Sequence, residues 1–224
     1  MRGKLIVFEG IDSSGKATQC ELLIEELKAR GFEAEGLTYP RYSEHFGSLV
    51  GKYLAGEFGS LEEVPEEFAV LLYSIDRYQQ KKEIEKKLAE GKILVSNRYS
   101  FSNVAFHSAK FSDKKQQKAF AKWITAVESR MPRADRVFFL DVPVSIAYSK
   151  MGAVDRKNDY RRGKDRDLHE SSIALQERAR SIYLELAHKN KNWIVINCAS
   201  NSALKPKEEI AREILEEAEK FLQN

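Results

Sequence analysis

The sequence predicts an α/β fold: a doubly wound, five-stranded parallel sheet with helices on both faces. Three observations point to it. Short runs such as Leu5-Ile6-Val7-Phe8 and Val137-Phe138-Phe139-Leu140 are apolar throughout, as strands buried on both faces of a parallel sheet require. Segments with apolar residues at helical spacing separate these runs. A turn with two glycines, Glu9-Gly10-Ile11-Asp12-Ser13-Ser14-Gly15-Lys16-Ala17-Thr18-Gln19, joins the first strand to the first helix, and alternating strands and helices wind into parallel sheets.

Taken in order, Leu5 to Phe8 is the first strand, and Cys20, Leu22, Leu23 and Leu27 form the apolar stripe of a helix that starts at Lys16. Residues 33–39 are a second strand, closed by Pro40-Arg41. Residues 46–58 and 65–90 read as helices, the latter stopped by Gly91. Ile93-Leu94-Val95 is the third strand and 114–128 a helix. The fourth strand is Val137 to Leu140, followed by a long helix over 170–188. The fifth is Trp193 to Ile196, and a last helix starts near Pro206. Without repeats, low-complexity tracts or Pro/Gly linkers, residues 1–224 read as one domain. Ligands of such sheets bind beyond the carboxyl ends of the strands, where the glycine turn, Pro40-Arg41 and Asn97-Arg98-Tyr99 fall.

Composition narrows the partners. With 224 residues the chain can bury one large core, and 42% hydrophobic and 32% charged residues are ordinary for a globular protein. A net charge of +3 gives little support to general affinity for nucleic acid or membrane. Cys20 and Cys198 lie far apart with no CxxC partner, so neither a disulfide framework nor a zinc site is expected. No apolar run approaches membrane-spanning length, and a strand starting by Lys4 leaves no room for a signal peptide. A cytoplasmic protein is expected.

The glycine turn has the physics of a phosphate-cradling P-loop. Gly10 and Gly15 permit a backbone whose N–H groups converge on one anion. The following helix presents its positive end there, and Lys16 adds an ammonium for the β- and γ-phosphates. Ala17 stands where the motif usually carries the hydroxyl that contacts Mg²⁺. Elsewhere, Tyr73 and Arg77 share a helix face one turn apart; spacing alone favours a core aromatic beside a surface arginine, although the two are also an aromatic and a donor suited to a nucleobase. Arg41 and Arg98 follow strand ends, where guanidinium groups can grip a phosphate; beside a P-loop, two of them favour a phosphate acceptor over water. The stretch 153–167 mixes Arg156, Arg161, Arg162 and Arg166 with four aspartates and little apolar. Taken alone it is a solvated loop; beside a P-loop it is a candidate mobile lid, about 152–169, that brings arginines to a transferring phosphoryl group.

At this point the residues resemble the thymidylate kinases, a family of P-loop nucleoside monophosphate kinases. The likeness runs through Phe8-Glu9-Gly10-Ile11-Asp12, Tyr39-Pro40-Arg41, Leu71-Leu72-Tyr73-Ser74-Ile75-Asp76-Arg77, and Asn97-Arg98-Tyr99-Ser100-Phe101-Ser102-Asn103-Val104-Ala105-Phe106. It continues through Leu140-Asp141-Val142-Pro143, Gln176-Glu177-Arg178 and Tyr183-Leu184-Glu185-Leu186-Ala187. The resemblance implies transfer of phosphoryl from ATP to dTMP, giving ADP and dTDP, with Mg²⁺. Gly10, Ser13, Ser14, Gly15, Lys16, Ala17 and Thr18 would bind ATP. Asp12 would face the acceptor's sugar–phosphate end, Arg41 and Arg98 its phosphate, and Tyr73 and Arg77 the thymine, with Ser102 and Phe106 lining the pocket. Because Ser13 and Ser14 replace a P-loop arginine, Arg156, Arg161, Arg162 and Arg166 would join Lys16 and Arg98 as catalytic groups. The family usually dimerises, so a homodimer is expected, with the helix around 68–78 a possible contributor.

Two departures meet at the metal. Ala17 lacks the hydroxyl, and Asn97 replaces the aspartate that usually opens its segment. Asn97 and Glu170 are the remaining candidates, acting through water, since Mg²⁺ keeps several waters. The alternatives are a kinase for another pyrimidine nucleotide or a deoxynucleoside, and a non-catalytic nucleotide-binding regulator. The four histidines have no metal-ligand spacing and read as structural or surface residues, with His169 alone weakly suspected near the lid.

Overall fold

The structure is a computed structural model that describes residues 2–150, 167–170, 172–201 and 203–223. The candidate lid therefore lies almost entirely outside the described residues, with all four of its arginines. At the centre of the sheet, β1 (Lys4–Glu9) pairs with β3 (Ile93–Asn97) on one side and β4 (Arg136–Asp141) on the other. β2 (Ala34–Thr38) flanks β3 and β5 (Trp193–Asn197) flanks β4, so the order is β2-β3-β1-β4-β5 with every pairing parallel.

Strand alternation divides the core in two. Leu5 and Val7 point to one face, where α4 (Lys81–Ala89), α5 (Ser100–Ser108), α6 (Lys114–Glu128) and α8 (Ile173–Lys189) pack, together with Val70 of α3 (Glu66–Gln79). Ile6 and Phe8 point to the other, covered by α1 (Lys16–Ala29), α7 (Val144–Lys150) and α9 (Lys207–Leu222). α2 (His45–Leu54) forms a smaller cluster with α3 around Tyr53 and Leu72. The doubly wound sheet is as expected. A short hairpin, β6 (Ala199–Ser200) with β7 (Ala203–Leu204), follows the sheet and was not foreseen; nor were α5 and α7.

Three helix boundaries differ from expectation. The segment 65–90 is two helices, because Gln80 ends α3 through its N–H on Arg77 O (3.0 Å) while starting α4. Its side chain accepts from the Tyr39 hydroxyl (2.7 Å), which holds the break in place. α2 stops at Leu54, short of 58, where Gly56 turns with φ 80 and donates to Tyr53 O. Glu170 lies outside α8. Its N–H donates to Asp167 Oδ1 (2.9 Å) and its carboxylate accepts from Asp167 N (3.1 Å), closing a turn; Ser172 then caps the helix on Leu175 N.

Candidate active site

β1 ends in the phosphate loop. The chain turns through Gly10 (φ 153), Ser13 (φ 56) and Gly15 (φ 87), all on the positive-φ side. A side chain at Gly10 would meet Ser14 Oγ at 2.7 Å and Leu140 O at 3.0 Å. Gly15 is the N-cap of α1 and no side chain caps the helix, so its first amides are available to an anion. Ala17 and Thr18 stand exposed in that first turn. Lys16 is buried, with Nζ donating to Ile11 O (2.6 Å) and Ser14 Oγ (3.2 Å). Burial, reinforced by the Arg98 charge, lowers its pKa to about 7.

Arg98 connects this loop to the rest of the site. It follows β3 with φ 67, an unusual backbone for a non-glycine residue. Its N–H donates to Phe8 O (3.0 Å), and its carbonyl accepts from Ser96 Oγ (2.7 Å). The side chain reaches Gly10 O (3.0 Å) and Ser102 Oγ (3.1 Å), pairs with Asp12 Oδ1, and lies over the Phe106 ring at 5.1 Å. Asp12 is also held from the opposite side: Gln176 Nε2 donates to its Oδ2 (2.6 Å), and Asp12 N donates to Gln176 Oε1 (3.1 Å). Beneath the loop, Glu9 accepts from Ser102 Oγ (2.6 Å), Tyr183 OH (2.8 Å) and Tyr99 N (3.0 Å). Burial pushes its carboxyl up.

Asp12, Tyr73, Arg77, Arg98, Ser102 and Phe106, six sequence candidates from three segments, line one cavity. Arg41 lines the adjoining cavity, where it meets Arg98 and Asn97. Asp76 fixes Arg41, accepting from its backbone N–H (2.9 Å) and pairing with its Nε (3.3 Å). Arg77 is 1% exposed, neither solvated nor apolar core. Burial pushes its guanidinium down, but the charge and the hydrogen bonding of its partner Glu128, with Tyr99 and Tyr39 nearby, together hold it above its usual value. Glu170 lines the Tyr73 cavity and Asn97 the Arg41 cavity.

Sequence reasoning left several residues here without a defined role. His169 lies parallel to the Phe106 ring (5.6 Å, 10°) and near-parallel to Tyr73 (6.5 Å, 20°). His107 meets Tyr73 edge-on at 5.3 Å. Burial lowers the pKa of both imidazoles and keeps them neutral. Glu128 and Gln176 were also without a role, although Gln176 stood in a recognised motif. Among the described residues no cluster of three or more His, Cys, Asp or Glu is set to hold a metal ion. Asn97 Oδ1, however, is buried without a hydrogen-bond partner, an oxygen suited to a hydrated cation.

A phosphate loop and an arginine-lined aromatic cavity, joined through one carboxylate at the carboxyl edge of a parallel sheet, define a P-loop phosphotransferase acting on a nucleotide. Comparison with known proteins is more specific. The family profile described as thymidylate kinase matches residues 8–214. The chain is 34% identical over 201 residues to the thymidylate kinase of Homo sapiens, covering 89% of this chain and 84% of the relative. It is 31% identical over 220 residues to that of Plasmodium falciparum, covering 98% and 91%. The solved thymidylate kinase of Candida albicans superposes with a TM-score of 0.76 at 22% identity, covering 98% of this chain and 93% of that one, which supports the fold. The chain belongs to the thymidylate kinase family. It is a nucleoside monophosphate kinase, and its reaction is ATP-dependent phosphorylation of dTMP to dTDP.

Proposed function

We propose that the γ-phosphoryl of ATP, held on the loop from Gly10 to Thr18, passes in line to the phosphate of dTMP held in the Tyr73–Phe106 cavity. The observation that carries this assignment is that Arg98 and Asp12 belong to both halves: each lines the acceptor cavity, and each is bonded within or onto the donor loop. The acceptor is already an anion, so no strong general base is needed. Catalysis is alignment plus positive charge around the transferring group. Lys16 leaves Ile11 O for the β- and γ-phosphates, and Arg41 and Arg98 hold the dTMP phosphate. Tyr73 stacks on thymine, Arg77 donates to a carbonyl of the base, and Ser102 and Phe106 pack against the deoxyribose. Arg156, Arg161, Arg162 and Arg166, outside the described residues, supply the lid charge that Ser13 and Ser14 lack.

Mg²⁺ would be held through water by Asn97, whose Oδ1 is buried without a hydrogen-bond partner, with Glu170 as the second candidate. When bound, it would neutralise charge on the phosphate oxygens. Phe68, Leu71 and Ile75 lie on one face of α3, each 40–43% exposed, which supports self-association of two copies through that helix. Cys20 and Cys198 are free, buried thiols, in keeping with a reducing cytoplasm. The test is coupled ADP release with dTMP, dUMP, dCMP and dGMP as Mg²⁺ is titrated. dTMP should be preferred, and Arg98→Ala should lower kcat/KM by about 10³-fold. Nucleotide binding with no transfer to any monophosphate would favour the regulator instead.

A further inference from the structure

The geometry points to Glu128 as a positioning residue that sets the hydrogen-bonding polarity of the base pocket: it fixes Arg77 as donor and Asn103 as acceptor, the pairing that suits a pyrimidine with N3–H beside a 4-carbonyl. The inference rests on reading the Tyr73–Phe106 cavity as the dTMP pocket. Arg77 and Asn103 line that cavity. Glu128, the last residue of α6 and 6% exposed, is bonded to both.

Its Oε1 accepts from Arg77 Nη2, from Asn103 Nδ2 (2.9 Å) and from Ser74 Oγ (2.8 Å), and its Oε2 accepts from Arg77 Nε (3.2 Å). Asn103 Nδ2 also faces Val70 O at 3.2 Å. A carboxylate and a main-chain carbonyl are both acceptors, so the Asn103 atom turned toward them must be the amide nitrogen. The remaining polar atom of that side chain is the acceptor Oδ1. Arg77, with Nε and Nη2 turned to Glu128, keeps Nη1 as a donor. Thymine and uracil offer a donor at N3 beside an acceptor at O4. Cytosine offers the reverse, an acceptor at N3 beside a donor at N4, and would set donor against donor and acceptor against acceptor.

Glu128→Gln keeps the size but places an NH₂ where one carboxylate oxygen accepts, so Arg77 or Asn103 must give way. In steady-state assays this variant should raise KM for dTMP about tenfold or more and cut the dTMP-over-dCMP preference about tenfold, with kcat within about threefold. KM for ATP should not move. Glu128→Asp, which keeps the charge, should recover part of the preference. If Glu128→Gln does not fold, the same readouts on Glu128→Asp decide, with a measurable loss of preference expected. Arg77→Leu separates the two levels. If it leaves KM for dTMP unchanged, the pocket assignment fails and the inference with it. If it raises KM for dTMP while the Glu128 variants leave KM and the dTMP-to-dCMP ratio within about twofold of the parent, the pocket stands and the role of Glu128 is overturned. Equal losses for ATP and dTMP in a folded variant would also overturn it.

Discussion

Lys16 is the residue whose protonation the fold controls most directly. Its ammonium rests on a backbone carbonyl and a serine hydroxyl, and burial brings its pKa to about 7. The unfolded chain holds this proton up to about pH 10.4. The ligand-free fold therefore bears the full cost of burying this group below pH 7, and that cost fades as pH rises between the two values. Phosphate oxygens favour the charged form, so ATP should bind with proton uptake near pH 8. Titration calorimetry in buffers of different ionisation heat checks this, and Lys16→Met should abolish the uptake. Two other single residues bear on the proposed Mg²⁺ contacts. Ala17→Ser adds a hydroxyl at the first turn of α1, and Asn97→Asp adds charge at the buried oxygen without a partner. Each should lower the Mg²⁺ concentration for half-maximal rate, by about threefold or more for the carboxylate. Rates that ignore both changes across a full Mg²⁺ titration would remove these positions from the metal site.

Among the elements, β4 and α3 make separable demands. Phe138 is fully buried on β4 and lies 5.4 Å from Phe8 on β1, so it ties the two central strands on one face. Phe138→Ala should cost about 3–5 kcal/mol in urea unfolding, with little change in the assignment of site residues. On one face α3 presents Tyr73 and Arg77 to the cavity, while its Asp76 holds Arg41; on another it carries an apolar stripe, Phe68, Leu71 and Ile75. Leu71→Glu should shift the sedimentation coefficient toward that of a single chain while leaving dTMP turnover measurable. An unchanged coefficient would move any dimer contact elsewhere. The inner strands β1, β3 and β4 were legible because each contains a bare apolar run, and the P-loop because its spacing demands glycine and lysine. α5 was not, since its inward side includes Asn103 and His107, polar residues that break the apolar period. The division at Gln80 was hidden because no glycine or proline marks it: residues 79–83 are Gln, Lys and Glu, all of which a continuous helix accepts. Glu128 had a faint signal: a carboxylate at a helix C-terminus opposes the dipole and so calls for a partner, here Arg77.

At the scale of the whole molecule, the site is built by residues brought from remote parts of the chain. Asp12 meets Arg98 across 86 positions and Gln176 across 164. No local pattern announces those partners, which is why their residue types were legible but the contacts were not. The arginines of the candidate lid, outside the described residues, are proposed to act at this scale too. Replacing each with alanine in turn should single out one whose loss lowers kcat about a hundredfold or more with smaller effects on KM. The join at Asp12 has a further consequence. Its carboxylate sits on the phosphate loop, holds Arg98, the arginine proposed for the acceptor phosphate, and is itself held by Gln176 of α8. Settling of the loop around ATP must then alter the dTMP cavity, and filling that cavity must alter the loop. The two nucleotides should show heterotropic coupling, with the dissociation constant of each changed by one common factor when the other is present. Calorimetry with a non-hydrolysable ATP analogue should return the same factor from either direction.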